Sequence, residues 1–310
     1  MTEPPVTVPV CYRHPSRETY VRCARCERPI CPDCMRDAAV GHQCPECVAE
    51  GRRTQRPVRT AFGGGVTGEL GRVTTTLIAV NVLVAVVGVL LGGARTLFDG
   101  GLFTGVSEIQ LLGGTLGTSI TVAPDGSAYG GAVPELGRVY VGIADGAYYR
   151  LVTAIFIHYG VFHLLMNMYA LWLLGRNLEG ALGPGRFLAL YLLAGIGGNV
   201  AAFAVQPGAV GAGASTAIFG LFAALFIVLR RLKRDTSGLI PLLVINLVLG
   251  VVIAQSLIGH LGGVVTGALV GAILAYAPRQ RRTLVQVAGC AGVLVLLLVV
   301  TALRSATLTG

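Results

Sequence analysis

Four pairs of candidate metal ligands open the chain: Cys11-x2-His14, Cys23-x2-Cys26, Cys31-x2-Cys34 and Cys44-x2-Cys47. Two intervening residues let both side chains of a pair face one ion from a tight turn, and four pairs supply the eight ligands that two tetrahedral zinc ions need. That count leaves His42 spare and no coordination position open for water, so both ions are expected to be structural. A second group of chemically capable residues comes later: His158, His163 and Asn167, then Gly213-Ala214-Ser215-Thr216, then His260. A serine hydroxyl becomes a nucleophile when a neutral imidazole takes its proton, which casts Ser215 and His260 as nucleophile and base. The Asn167 amide, His163 and the Ser215 N–H are suitable donors for a developing oxyanion. No Asp or Glu falls in the apolar stretches that carry these residues, so a dyad is expected rather than a triad.

The elements that must position them are read from hydropathy. Hydrophobic residues make up 54% of the 310 residues and charged residues 13%, with a mean hydropathy of +0.71. Such a chain is too apolar for a disordered, collagen-like or coiled-coil protein, or for a soluble enzyme with one core. A polytopic, all-α membrane protein is what remains. A spanning helix needs about 20 largely apolar residues, because every backbone polar group must be satisfied within the segment. Seven stretches qualify: Val73–Gly93, Leu151–Leu174, Phe187–Val205, Gly213–Leu229, Gly238–Ala254, Leu257–Ala277 and Thr283–Leu303.

The net charge is +9. Its basic residues sit beside the apolar stretches, so membrane topology accounts for them and no nucleic-acid partner is expected. With the N-terminus in the cytosol, fourteen basic residues fall in inside connections and four (Arg95, Arg138, Arg150 and Arg304) outside. No apolar signal core precedes residue 15, and the seventh span carries the C-terminus to the external side. In that arrangement the second, fourth and sixth spans run inward from the external side. Ser215 then lies about two residues into its helix, His260 about three, and His163 and Asn167 about twelve to sixteen, so a shared site just below the external surface is expected. His163 and Asn167 are four apart and share a helical face. Glycines 259, 263, 267 and 271 make a small-residue ladder beside His260 that lets a neighbouring helix approach closely.

Composition changes near residue 60, which divides the chain into a ligand-rich module (residues 1–50), an Arg- and Gly-containing linker (51–72), a membrane core (73–277) and an additional C-terminal helix (278–310). A cytosolic module keeps its thiols reduced, which favours metal over disulfides. Cys290, in the last span, reads as a small buried apolar residue.

Residues 73–277 resemble the rhomboid intramembrane serine proteases. The resemblance rests on Tyr149-Arg150-x2-Thr153-x2-Phe156-x-His158-x4-His163-x3-Asn167-Met168, on Gly213-x-Ser215, and on Gly259-His260-x2-Gly263-x3-Gly267. It implies a six-helix core with one helix added. It also implies Ser215 as nucleophile, His260 as base, Asn167 and His163 at the oxyanion, Phe219 stacked near the base, and transmembrane proteins in the lipid bilayer as substrates. Two departures stand out: the family's Gly-x-Ser-Gly has Thr216 as its last residue here, and its Trp-Arg is Tyr149-Arg150. The first bears on rate and substrate pocket.

The ligand-rich module resembles B-box or RING-type zinc folds, which implies interleaved pairs, first with third and second with fourth, although the sequence by itself does not order them. Such a module is either a folded cap or a docking domain for a cytosolic protein. Two rival readings of the membrane core are an inactive homologue that binds or escorts membrane clients, suggested by Thr216, and a transporter whose histidines relay protons.

Overall fold

Glycine and small residues dictate how closely the apolar helices of this chain approach one another, and that approach builds the scaffold. The computed structural model describes residues 8–54, 58–65, 71–98, 106–241, 243–244 and 257–310. Two compact units emerge, Met1–Val58 and Arg59–Gly310.

In the first unit, β1 (Val10–Cys11) pairs antiparallel with β2 (His14–Glu18), and β3 (Arg36–Asp37) with β4 (His42–Gln43); α1 (Pro45–Thr54) closes it. Part of the expected linker is therefore helical. Among the described residues of this unit, Ile30 is the one buried large aliphatic, beside six buried cysteines. A core this small cannot hold a fold of about 50 residues without a further constraint.

The second unit is mostly helical. Its long elements are α2 (Arg72–Gly92), α5 (Gly160–Leu182), α6 (Pro184–Val205), α7 (Ser215–Arg231), α8 (Leu257–Tyr276) and α9 (Arg282–Thr309). Among the described residues, four helical segments are long and apolar enough to cross a membrane: α2, α6, α8 and Arg279–Thr309, which includes α9. A fifth arises if α4 (Arg150–Thr153), with the turn after it to Phe156, is counted with α5 as one bent span. The chain is thus a multi-pass membrane protein. α7 is a single 17-residue helix, and the expected span Gly238–Ala254 falls largely outside the described residues.

Two expectations need correction. The span expected at Leu151–Leu174 is not continuous: its two parts meet at 91°. The break occurs where Gly160 adopts φ +71, a left-handed conformation that glycine tolerates. Hydropathy does not register the break because both sides of it are apolar. α5 also runs on past the expected end at Leu174 to Leu182, and this extension carries Glu179. The Glu179 carboxylate is buried and accepts the N–H groups of Val73 (3.0 Å) and Thr74 (2.9 Å) and the Thr74 hydroxyl (2.7 Å). It thus satisfies first-turn donors of α2, whose own N-cap, Gly71, has no side chain to do so.

The long segment between α2 and α5 is not all helix. After α3 (Glu108–Gly113) it forms a three-stranded antiparallel sheet in the order β6-β5-β7 (Ala128–Gly130, Ile120–Val122 and Arg138–Tyr140). Arg150 is buried and ties this segment down, donating from Nε to Val141 O (2.7 Å) and from Nη1 to Gly114 O (2.9 Å).

The glycine ladder of α8 lies directly on α7. A Cβ on Gly263 would come within 2.0 Å of Thr216 O, and one on Gly267 within 2.3 Å of Gly220 Cα and O. Both obstacles are backbone and cannot rotate away. Gly267→Val should therefore force the helices apart and cost about 3 kcal/mol or more. A thermal-unfolding midpoint in detergent within error of the wild type would contradict this.

Candidate functional site

Ser215 is the first residue of α7 and His260 the fourth of α8. The close α7–α8 contact brings the Ser215 hydroxyl to 3.0 Å from His260 Nε2. His260 is buried, and its Nδ1 has no hydrogen-bond partner among the described residues. The ring is instead held by stacking on Phe219, one turn after Ser215, with centroids 4.3 Å apart and planes inclined by 27°. An aromatic face thus orients the imidazole where a triad would use a carboxylate.

His163 and Asn167 are the fourth and eighth residues of α5, not the twelfth to sixteenth of a longer span. The bend before Gly160 thus places His163 about as far into its helix as His260 is into α8. His163 Nδ1 accepts the Tyr159 N–H at 3.2 Å, so its Nε2 carries the proton. A Cβ built on Gly213 would lie 3.1 Å from His163 Nε2 and 3.3 Å from the Ser215 hydroxyl oxygen. The nearest atom, His163 Cε1, would be only 2.7 Å away, so glycine at 213, with φ +136, is what lets the His163 ring come close to Ser215. The Asn167 amide donates to His163 O at 2.8 Å, which leaves its second N–H available, and it makes no bond to Ser215. The Ser215 N–H belongs to the first turn of α7, where helical N–H groups lack intrahelical partners.

Three residues that the sequence left without a role, or left unmentioned, shape this site. His158 lies in the break before α5, and its Nε2 accepts the Ala214 N–H at 3.4 Å. The Tyr159 hydroxyl donates to Val210 O at 2.7 Å. Asn199 donates to Leu151 O at 2.9 Å, while the Gly213 N–H reaches Ala154 O at 2.9 Å. The chain entering α7 is thus fastened to the α4 turn. Of these, His158 stood in the sequence next to the histidine–asparagine pair; Tyr159 and Asn199 gave no signal.

Thr216 does not crowd the nucleophile. Its side chain packs against α6, where a Cβ on Gly198 would come within 2.6 Å of Thr216 Cβ. The absence of a side chain at 198 houses the extra bulk at 216.

The eight candidate metal ligands gather in two groups, Cys11, His14, Cys31 and Cys34, and Cys23, Cys26, Cys44 and Cys47, each with its ligand atoms within 4.8 Å of one another. The pairs are interleaved, first with third and second with fourth. His42 belongs to neither and instead lies 3.3 Å from Asp37. A tetrahedral zinc with Zn–S bonds of about 2.3 Å has S···S edges of about 3.8 Å. Cys26 and Cys44 are 3.8 Å apart, and His14 Nδ1 lies 3.8, 3.3 and 3.4 Å from the sulfurs of Cys11, Cys31 and Cys34. The donor set and its spacing fit zinc.

The surroundings favour thiolates as well. The Cys44 N–H reaches Cys23 Sγ at 3.2 Å, and Arg28 Nε reaches Cys26 Sγ at 3.3 Å. Burial opposes ionisation of the Cys23 thiol, but N–H donors, that of Cys44 foremost, bring it down to about 6.

Residues 145–277 match the family model of the rhomboid domain. The chain is 41% identical over 138 residues to rhomboid protease GluP of Bacillus subtilis (strain 168), covering 43% of this chain and 27% of that protein. It is 45% identical over 93 residues to the putative rhomboid protease YdcA of the same organism, covering 29% of this chain and 47% of YdcA. RHOMBOID-like protein 1 of Arabidopsis thaliana is 33% identical over 138 residues, covering 42% of this chain and 36% of that protein. The chain spans less than half the length of each of these relatives. Residues 145–277 are thus similar to rhomboid domains, and the Cys/His groups of the N-terminal unit fit a zinc-binding domain.

Proposed function

We propose that this chain is an intramembrane serine protease that hydrolyses peptide bonds in or near the transmembrane segments of other membrane proteins. The observation that carries this reading is the 3.0 Å contact between the Ser215 hydroxyl and His260 Nε2. In the proposed reaction, Nε2 takes the hydroxyl proton as Oγ attacks a substrate carbonyl carbon. The developing oxyanion forms between the donors gathered beside Ser215. There it would accept hydrogen bonds from the His163 Nε2–H, the Ser215 N–H and the second N–H of Asn167. The imidazolium then protonates the departing amine. Water repeats the sequence on the acyl-enzyme and releases the carboxylate.

Topology follows from charge bias: N-terminus cytosolic, C-terminus external, and the dyad toward the external leaflet. Substrates are transmembrane helices that unwind locally to present a carbonyl. The two Cys/His groups would hold zinc ions whose chemistry is structural, because four protein ligands fill each site.

Labelling by a serine-directed fluorophosphonate tests the reading. The wild type should be modified at Ser215 and the His260→Ala variant should not. Absence of labelling in the wild type would instead indicate a homologue that binds membrane clients without cleaving them.

A further inference from the structure

Three guanidinium groups converge on Gly63. Arg59 donates from Nη1 to the Gly63 carbonyl at 3.3 Å. A Cβ on Gly63 would lie 3.3 Å from Arg282 Nη1 and 3.8 Å from Arg186 Nη2. The neighbouring Gly64 packs on Leu182 O and Gly183, at the end of α5. His163 stands at the other end of that helix, 19 residues away, or about 28 Å at 1.5 Å per residue. The cluster therefore sits at the membrane surface opposite the dyad.

The arginines are fixed rather than loosely arrayed. Arg186 Nε donates to Gln286 Oε1 at 2.7 Å, and Arg282 Nη1 to Ala61 O at 3.2 Å. Gln286 is buried and anchored in turn, with its amide donating to Leu274 O at 2.8 Å. Each guanidinium has five N–H donors and uses one in these bonds. Among the described residues none of the three forms an ion pair. Glu179, the buried acid of α5, is committed to Val73 and Thr74. The fold thus holds three like charges together, each with donors to spare, and among the described residues none of the three meets a carboxylate.

We propose that Arg59, Arg186 and Arg282 form a binding site for the phosphate of an anionic phospholipid. A guanidinium fork matches two phosphate oxygens, and three forks around one residue can surround a single head group. The apolar side chains just after Arg282 favour a lipid over free phosphate. Leu284 and Val285, in the first turn of α9 after Arg282, are exposed, and Val285, three residues on, shares a face with Arg282 and offers apolar surface beside the cluster. A positive charge bias that only sets topology would not need these three groups locked around one backbone position.

The test is native mass spectrometry of the full chain in detergent, titrated with phosphatidylglycerol or phosphatidylcholine. The wild type should retain one phosphatidylglycerol with at least a tenfold preference over phosphatidylcholine. Arg59→Gln and Arg282→Gln should each reduce that retention at least fivefold, while Arg279→Gln, exposed and outside the cluster, should leave it unchanged. Arg59→Gln breaks one surface bond, so its lipid-free unfolding midpoint should match the wild type and show that lost retention is not lost folding. Equal losses in all three variants, or no preference between the two lipids, would overturn the site in favour of diffuse charge. Displacement of the lipid by millimolar inorganic phosphate, with equal stabilisation, would overturn the lipid assignment in favour of free phosphate.

Discussion

Ser215→Ala should reduce cleavage of a model transmembrane substrate by about 10⁴-fold or more, with the purified protein still folded. Removing the hydroxyl removes the atom that forms the acyl-enzyme, and what survives is the binding and oxyanion contribution alone. His260→Ala should cost a similar factor. The double variant should be little worse than either single one, because the two groups act as one unit across their 3.0 Å contact. Asn167→Ala should be milder, with kcat lower by about 10² to 10³ and KM nearly unchanged, as expected for a donor that acts on the oxyanion rather than on bound substrate. Steady-state kinetics on a fluorogenic membrane substrate would separate these effects. Cleavage by Ser215→Ala at the wild-type rate would end the proteolytic reading; a loss in Asn167→Ala equal to that in Ser215→Ala would show that Asn167 supports the fold instead.

Stripping metal from the full chain with a strong chelator should unfold residues 8–54. The unit has Ile30 and a set of cysteines for a core, too little to offset the chain entropy of ordering it. Structural zinc contributes about 10 to 16 kcal/mol in small domains, comparable to the whole stability of an ordinary one. Limited proteolysis should therefore cut this segment rapidly after chelation and spare it before, and elemental analysis should find two zinc ions per chain. Cys23→Ser should have the same effect, because removing one ligand breaks a four-ligand site. Fluorophosphonate labelling of Ser215 should persist, since the dyad shares no residue with the metal groups. A segment that stays protease-resistant without metal would refute the structural role.

Much of this was legible in the sequence, for identifiable reasons. The paired ligands announced two four-ligand groups because a spacing of two is a local geometric requirement. Most apolar spans were visible because a membrane makes backbone satisfaction a property of a contiguous segment. The Gly259–Gly271 ladder pointed to a close helix contact because a small residue every fourth position lines one helical face. Glu179 escaped notice because its partners, Val73 and Thr74, are more than 100 residues away in the chain. The depth of His163 was misjudged because hydropathy measures transfer to lipid and carries no record of backbone direction.

Residue types and spacing by themselves determined which chemical groups this protein owns and that several lie on separate apolar helices. The tertiary structure alone decided where those groups meet. The left-handed turn at Gly160 moved His163 to the start of α5, Gly198 made room for Thr216, and the α7–α8 contact set the 3.0 Å distance between the Ser215 hydroxyl and His260 Nε2. Each of these depends on contacts between segments distant in sequence. A one-dimensional pattern of polarity fixes which face of a helix seeks company, whereas the backbone bend and the helix packing set which atoms come within bonding distance.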